Sequence, residues 1–179
     1  MRYFTVLFLA IFLATLQGCS AVSSKIDRRT TGTQVEDDSI ESKSMSRIQE
    51  KYKDAAQVTI TSYNRFVLIT GTVANDDIKT NVERIVYSVP NVKKIADEVS
   101  VGAMPNASIH RTDSSITRDI KSGIGKSKAL QSVTIKVATE RGIVYLLGLA
   151  THAEADAASE IASTTSDVKK VVRVFEYID

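Results

Sequence analysis

The sequence predicts an α+β protein made of two copies of one small module, each running helix, strand, strand, helix, strand, with two helices covering one face of a three-stranded sheet. Three observations predict it. The chain repeats itself in order and with nearly constant spacing. Within each copy, apolar residues at helical spacing give way to β-rich runs and then return to helical spacing. Residues suited to tight turns fall between the two β-rich runs of both copies.

The repeat is visible in four blocks. Asp37-Asp38-Ser39-Ile40 corresponds to Asp113-Ser114-Ser115-Ile116, and Gln57-Val58-Thr59-Ile60 to Ser132-Val133-Thr134-Ile135. The run Val67-Leu68-Ile69-Thr70-Gly71-Thr72-Val73 corresponds to Val144-Tyr145-Leu146-Leu147-Gly148-Leu149-Ala150, and Asn91-Val92-Lys93-Lys94-Ile95 to Asp167-Val168-Lys169-Lys170-Val171. The resulting organisation is a signal peptide over 1–18, a lipidated tether over 19–36, a first module over 37–102, a linker over 103–112 containing Met104-Pro105-Asn106, and a second module over 113–179.

Met1-Arg2-Tyr3 opens the chain, followed by an apolar run from Phe4 to Leu16 interrupted only by threonines. A positive start, a short apolar core and a small residue before the cut make a secretory signal. The run falls short of the roughly 20 residues that span a bilayer. Leu16-Gln17-Gly18-Cys19 resembles the lipobox of bacterial lipoproteins. That likeness implies diacylglycerol on the Cys19 thiol and cleavage before it. Lipid chains supply about 0.8 kcal/mol of membrane affinity per buried methylene, so the anchor suffices without a transmembrane helix. Cys19 is the only cysteine, which excludes a disulfide within the chain. Ser20 stands where an Asp would favour inner-membrane retention, so the expected location is the outer membrane, lipid-anchored and facing the periplasm. Ser20 to Gln34 is polar and reads as an extended tether without a core of its own.

In the first module, Ile40, Ser44, Ile48 and Tyr52 recur at helical spacing; Ile116, Ile120 and Ile124 do so in the second. Asp38 or Ser39, and Ser114 or Ser115, are the expected N-caps, because their side chains accept from free backbone N–H groups. The second module's first helix is expected over about Ser115 to Leu130. β-Rich runs follow at Val58 to Tyr63 and Val133 to Thr139, ending in the hairpin turns Tyr63-Asn64-Arg65 and Glu140-Arg141-Gly142. Gly71 and Gly148, at equivalent strand positions, signal a bulge or a close backbone approach. Asn75-Asp76-Asp77 opens a helix with apolar face Ile78, Val82, Ile85, Val86 and Val89. His152-Ala153-Glu154 opens its counterpart, with Ala155, Ala158, Ile161 and Ala162 inward. Pro90-Asn91 and Ser166-Asp167 close these helices, and last strands run from Val92 to Val101 and from Val168 to Ile178. Modules this small have marginal cores, so the two are expected to pack together.

The composition narrows the function classes. A net charge of +2 with 25% charged residues does not indicate nucleic-acid binding. The absence of tryptophan argues against carbohydrate stacking. The only histidines, His110 and His152, read as a linker residue and a helix-start residue, without the convergent ligands a metal or acid–base site needs. Gly123-Ile124-Gly125-Lys126-Ser127 ends like a phosphate loop, but Ile120 stands where the pattern needs its first glycine and no strand precedes it. Thr112 to Ser115 is rich in hydroxyls without His–Asp support. The paired acids Asp37-Asp38 and Asp76-Asp77 read as helix-cap groups. A non-enzymatic protein without cofactor or metal is expected, and a monomer.

The Val-x-Leu-x-Gly-like strands Val67–Gly71 and Val144–Gly148, with the Asn/Asp-Val-Lys-Lys corners, resemble the BON domain, named for bacterial OsmY and nodulation proteins. The segment Arg29-Thr30-Thr31-Gly32-Thr33-Gln34-Val35-Glu36-Asp37-Asp38, together with the lipobox, is similar to the narrower group of dual-BON lipoproteins of DolP/YraP type. The resemblance implies an envelope-integrity role and binding of anionic phospholipid by the first helix of the second module. The residues it points to are Ser115, Arg118, Lys121, Lys126 and Lys128, with Asp119 the only acid of that stretch. Relatives often carry Trp where Ser115 stands, and a Trp would anchor in the membrane interface. The rival expectation is an adaptor for an envelope protein partner, with lipid contact incidental.

Overall fold

A computed structural model describes residues 26–179. The leader, the lipobox and Cys19 lie outside the described residues. The first module comprises α1 (Thr31–Tyr52), β1 (Ala56–Tyr63), β2 (Phe66–Val73), α2 (Asp76–Tyr87) and β3 (Lys94–Val101). The second comprises α3 (Ala107–Lys126), β4 (Lys136–Glu140), β5 (Ile143–Ala150), α4 (His152–Ser163) and β6 (Lys170–Tyr177). Single 3₁₀ turns, Lys53–Ala55 and Lys128–Leu130, follow the first helix of each module. Each sheet places its second strand in the centre, antiparallel to the first and parallel to the third. The α+β class and the repeated element order therefore stand.

The central strands are apolar on both faces because both faces are covered. Val67, Ile69 and Val73 of β2 pack with Ile40 and Ile48 of α1 and Val82 and Val86 of α2. Val144, Leu146 and Ala150 of β5 pack with Ile116, Ile120 and Ile124 of α3 and Ala155, Ala158 and Ala162 of α4. The alternate residues point the other way and meet in a third cluster: Tyr63 and Leu68 of the first sheet against Tyr145, Leu147 and Val174 of the second. The two sheets thus stack back to back, with helices outside. Polar contacts rim this seam. Lys136 Nζ reaches Glu41 Oε1 at 2.7 Å and the Ser62 carbonyl at 2.9 Å, and Arg141 Nη2 reaches Thr72 Oγ1 at 3.1 Å.

Both hairpins turn through two residues at positive φ, Asn64 (53°) with Arg65 (66°) and Arg141 (53°) with Gly142 (79°). Such turns match the twist of the strands they join. Each is held by a buried aspartate of the preceding helix. Asp37 accepts from the amides of Asn64 (2.8 Å) and Arg65 (2.7 Å), and Asp113 from those of Arg141 (2.8 Å) and Gly142 (2.8 Å). The repeated Asp is therefore a clamp between helix and hairpin. The cap reading of Asp37 is corrected accordingly: it sits within α1, where no helix amide is free.

Both first helices also begin earlier than expected. Thr30 caps α1, its Oγ1 accepting from Thr33 N at 3.1 Å, and Asn106 caps α3 through Ile109 N at 3.1 Å. Asp38, Ser39, Ser114 and Ser115 are interior helical residues. Neither helix buries a residue before its aspartate, so no apolar periodicity marked the extra turns. Consequently Ala107 to Thr112 is helix rather than linker, and His110 lies on α3. The expected helix from Ser115 to Leu130 is replaced by one ending at Lys126, followed by the 3₁₀ turn. β4 is likewise shorter than the Val133 to Thr139 run.

The stretch expected to be an extended tether is docked from Ile26 onward. Arg28 donates to both Glu154 oxygens at 2.7 Å and to the Leu149 carbonyl at 2.8 Å, while Thr134 Oγ1 donates to the Ile26 carbonyl at 3.2 Å. Arg29 turns the other way, pairing with Asp27 (2.7 Å) and Asp37 (2.8 Å) and lying 4.0 Å over the Tyr63 ring. This strap crosses from the second module to the first before α1 starts.

Gly71 is a position where no side chain fits. Its φ is 118°, and a Cβ would stand 2.2 Å from the Gln57 carbonyl oxygen. The close approach expected of a strand glycine is what the register of β1 on β2 requires.

Candidate functional site

α3 is amphipathic by construction. Asp113, Ile116, Ile120 and Ile124 point inward. Arg111, Ser114, Arg118 and Lys121, spaced by three and four residues, form an exposed outer stripe. Lys126 is exposed on the flank of that stripe, and Lys128 is exposed in the 3₁₀ turn just beyond. The structure therefore brings Arg118, Lys121, Lys126 and Lys128 onto one helix and its continuation.

Ser115 is half-buried and plays a supporting part, its Oγ accepting from Arg118 Nη2 at 2.9 Å. Arg118 is 75% exposed, and its Nε lies 3.7 Å from Asp119 Oδ1, a carboxylate itself 59% exposed. Exposed pairs of this kind contribute about 0–1 kcal/mol, so Arg118 stays available to an external anion. The other acid of the helix, Asp113, is committed to the hairpin. His110 and Arg111 extend the basic face beyond the residues the sequence pointed to. The signal that locates them is Asn106 as an N-cap, which adds two turns to the helix.

The same face borders a cleft of about 550 Å³ between the modules, lined on one side by Gln57 and Thr59 of β1 and on the other by His110, Ser114, Arg118 and Lys121. Glu140 lies at its base. Burial, reinforced by the nearby Asp113 charge, pushes the Glu140 carboxyl above its usual value, and Oε1 has no hydrogen-bond partner. Burial opposes ionisation of Asp37 too, but the Ser62 hydroxyl, the Arg29 guanidinium and the two hairpin amides together hold its carboxyl below the usual range. Tyr63 and Tyr145, in the seam, are pushed up to about 12, by burial first and then by Asp27 and Glu98 respectively.

His152 stacks on Tyr177, ring centroids 3.9 Å apart, and its Nδ1 lies 2.7 Å from Asp179 Oδ1. Among the described residues, no group of three or more His, Cys, Asp or Glu converges as for a metal ion. None of the described helices is long and apolar enough to cross a membrane. What the face of α3 offers is a row of exposed cations beside a polar cleft.

Two α+β modules in tandem, stacked through their sheets and carrying a basic helix on the second, define the class. The chain belongs to the BON-domain family, whose model matches it twice, over residues 36–103 and 112–179. It is 35% identical over 177 residues to the outer membrane lipoprotein DolP of Haemophilus influenzae, covering 97% of this chain and 92% of that protein. It is 30% identical over 155 residues to the 21 kDa hemolysin of Actinobacillus pleuropneumoniae, covering 86% of this chain and 80% of that one. An uncharacterized protein of Anaplasma centrale is 28% identical over 122 residues, covering 65% and 79%.

Proposed function

We propose that this protein is a non-enzymatic outer-membrane lipoprotein, anchored through Cys19 and facing the periplasm, whose second BON domain binds anionic phospholipid through the outer face of α3 and thereby supports envelope integrity. One observation carries the reading: the two modules share a fold but not a charge pattern. α3 bears Arg111, Arg118, Lys121 and Lys126 with Asp119 as its only exposed acid. The equivalent helix α1 answers Lys43, Arg47 and Lys51 with Glu36, Asp38, Glu41 and Glu50. Since the fold needs only the inward residues, the basic face of α3 is free to serve another purpose. Each cation near an anionic bilayer contributes about 1 kcal/mol. The likeness to an outer membrane lipoprotein over nearly the whole chain supports the location.

The test is co-sedimentation of the unanchored chain, residues 20–179, with vesicles containing phosphatidylglycerol. Binding is expected, weakening as salt rises. Replacing Arg118, Lys121 and Lys128 together by Glu is expected to lower affinity at least about a hundredfold, given roughly 1 kcal/mol per cation removed. Binding that survives the triple replacement would remove α3 from the account.

A further inference from the structure

The strap determines where the anchor leaves the molecule. Asp113 ties the start of α3 to the β4–β5 hairpin, so α3 runs back along the module toward the start of β4. At that far end β5 and β6 also finish, with Ala150 opposite Tyr177 and the Ile178 amide donating to the Ala150 carbonyl at 3.3 Å. The strap docks at the same end, through Thr134 and Leu149. Lys128 lies on the segment that leads from the C-terminal end of α3, at Lys126, to Thr134 six residues further on, so the two lysines border this end of the module.

This end is unlike the rest of the surface. Ile26 (59% exposed), Tyr177 (40%) and Ile178 (50%) make up half of the exposed large apolar residues among those described. Of the neighbouring acids, Glu154 pairs with Arg28, Glu176 accepts from Asn64 Nδ2 at 2.8 Å, and Asp179 accepts from the His152 amide. Lys126 and Lys128 form no ion pair among the described residues. Apolar and aromatic tips flanked by lysines suit the interface of a bilayer, where ring and methyl groups enter the headgroup region and ammonium groups meet phosphates.

We propose that the end of the second module formed by Ile26, Lys126, Lys128, Tyr177 and Ile178 is the surface that meets the anchoring bilayer, and that the Arg28 strap holds it there. The proposal rests on the lipid-anchor reading and deepens it. The chain from Cys19 to Ile26 can reach at most about 25 Å at 3.3–3.6 Å per residue, which confines the anchor to the neighbourhood of this end. The opposite end of α3, at Ala107, is about 30 Å away along a 20-residue helix. The helix therefore meets the membrane inclined, its C-terminal end deepest and its outer face turned toward the headgroups.

The chain contains no tryptophan, so a single introduced Trp reports its own depth. The experiment uses the full lipidated protein in vesicles of phosphatidylethanolamine and brominated phosphatidylglycerol, comparing Ile178→Trp with Ala107→Trp. Quenching several-fold stronger at 178 than at 107, reduced when Arg28→Ala is added, is the expected result. Tyr177→Trp replaces Ile178→Trp if circular dichroism shows that the latter does not fold. Equal quenching at both ends, or stronger quenching at 107, overturns the inclined approach while leaving phospholipid binding by α3 in place. No quenching at either position overturns both. Quenching at 178 that Arg28→Ala leaves unchanged overturns the role of the strap.

Discussion

Asp37 offers the sharpest test of how the modules are held together. It is fully buried and accepts from Ser62 Oγ at 2.6 Å, Arg29 Nη1 at 2.8 Å, and the Asn64 and Arg65 amides at 2.8 and 2.7 Å. Among the described residues, its counterpart Asp113 accepts from two amides only. Asp37→Ala strands two turn amides and removes one partner of a buried ion pair, which costs about 3–5 kcal/mol. Arg29 keeps Asp27, so the lower part of that range applies, about 3–4 kcal/mol. Asp113→Ala strands two amides and should cost about 2 kcal/mol. At roughly 2–4 °C per kcal/mol for a chain of this size, the melting temperature should fall by about 6–16 °C and 4–8 °C respectively. The sign of the pH dependence follows from the lowered carboxyl of Asp37. Its contribution is complete above the ordinary carboxylate value and is lost as pH falls through the depressed one. Urea unfolding followed by circular dichroism at neutral and acidic pH measures both effects. The clamp argument is refuted if Asp113→Ala costs as much as Asp37→Ala, or if the Asp37→Ala deficit grows in acid.

Gly71→Ala should abolish cooperative folding of the first module, because its Cβ would meet backbone at 2.2 Å with φ at 118°. Gly148→Ala, whose Cβ would stand 3.2 Å from the Thr134 carbonyl oxygen, should cost only about 1–3 kcal/mol, so urea midpoints rank the two. Glu140→Gln should raise the melting temperature at pH 7, since burial makes the charged carboxyl unfavourable there. Because the native carboxyl titrates above its usual value, the advantage of Gln should open as pH rises past the ordinary carboxylate value, be complete above the raised one and close in acid; a gain largest at low pH would contradict it.

Much of the fold was legible because its signals are local. The turn pairs Asn64-Arg65 and Arg141-Gly142, the Asn75 cap and the apolar faces of α2 and α4 all lie within a few residues of the structure they specify. The consecutive apolar residues Val144 to Leu147 carried a further message, burial on both faces of β5, whose cause is the other sheet. Asp37 and Asp113 stand out as a repeat, yet Asp37 reads as a cap group, since a carboxylate accepting backbone amides has the same local signature whether the donors belong to a helix or a distant hairpin. The Arg28–Glu154 pair joins residues 126 apart and leaves no periodicity, so the docked strap was invisible. Of the basic surface, Arg118 to Lys128 could be read from the sequence. His110 and Arg111 were assigned to a linker, because the first turns of α3 bury nothing.

The proposed lipid binding by α3 is tested most directly by a titration of isotope-labelled residues 20–179 with phosphatidylglycerol bicelles, followed amide by amide in NMR. The predicted result is saturable shifts concentrated between Arg111 and Lys128 and at the adjoining end of the second module, with the first module's α1 unmoved and no response to phosphatidylcholine alone. Shifts centred on the first module, or equal shifts with both lipids, would contradict it.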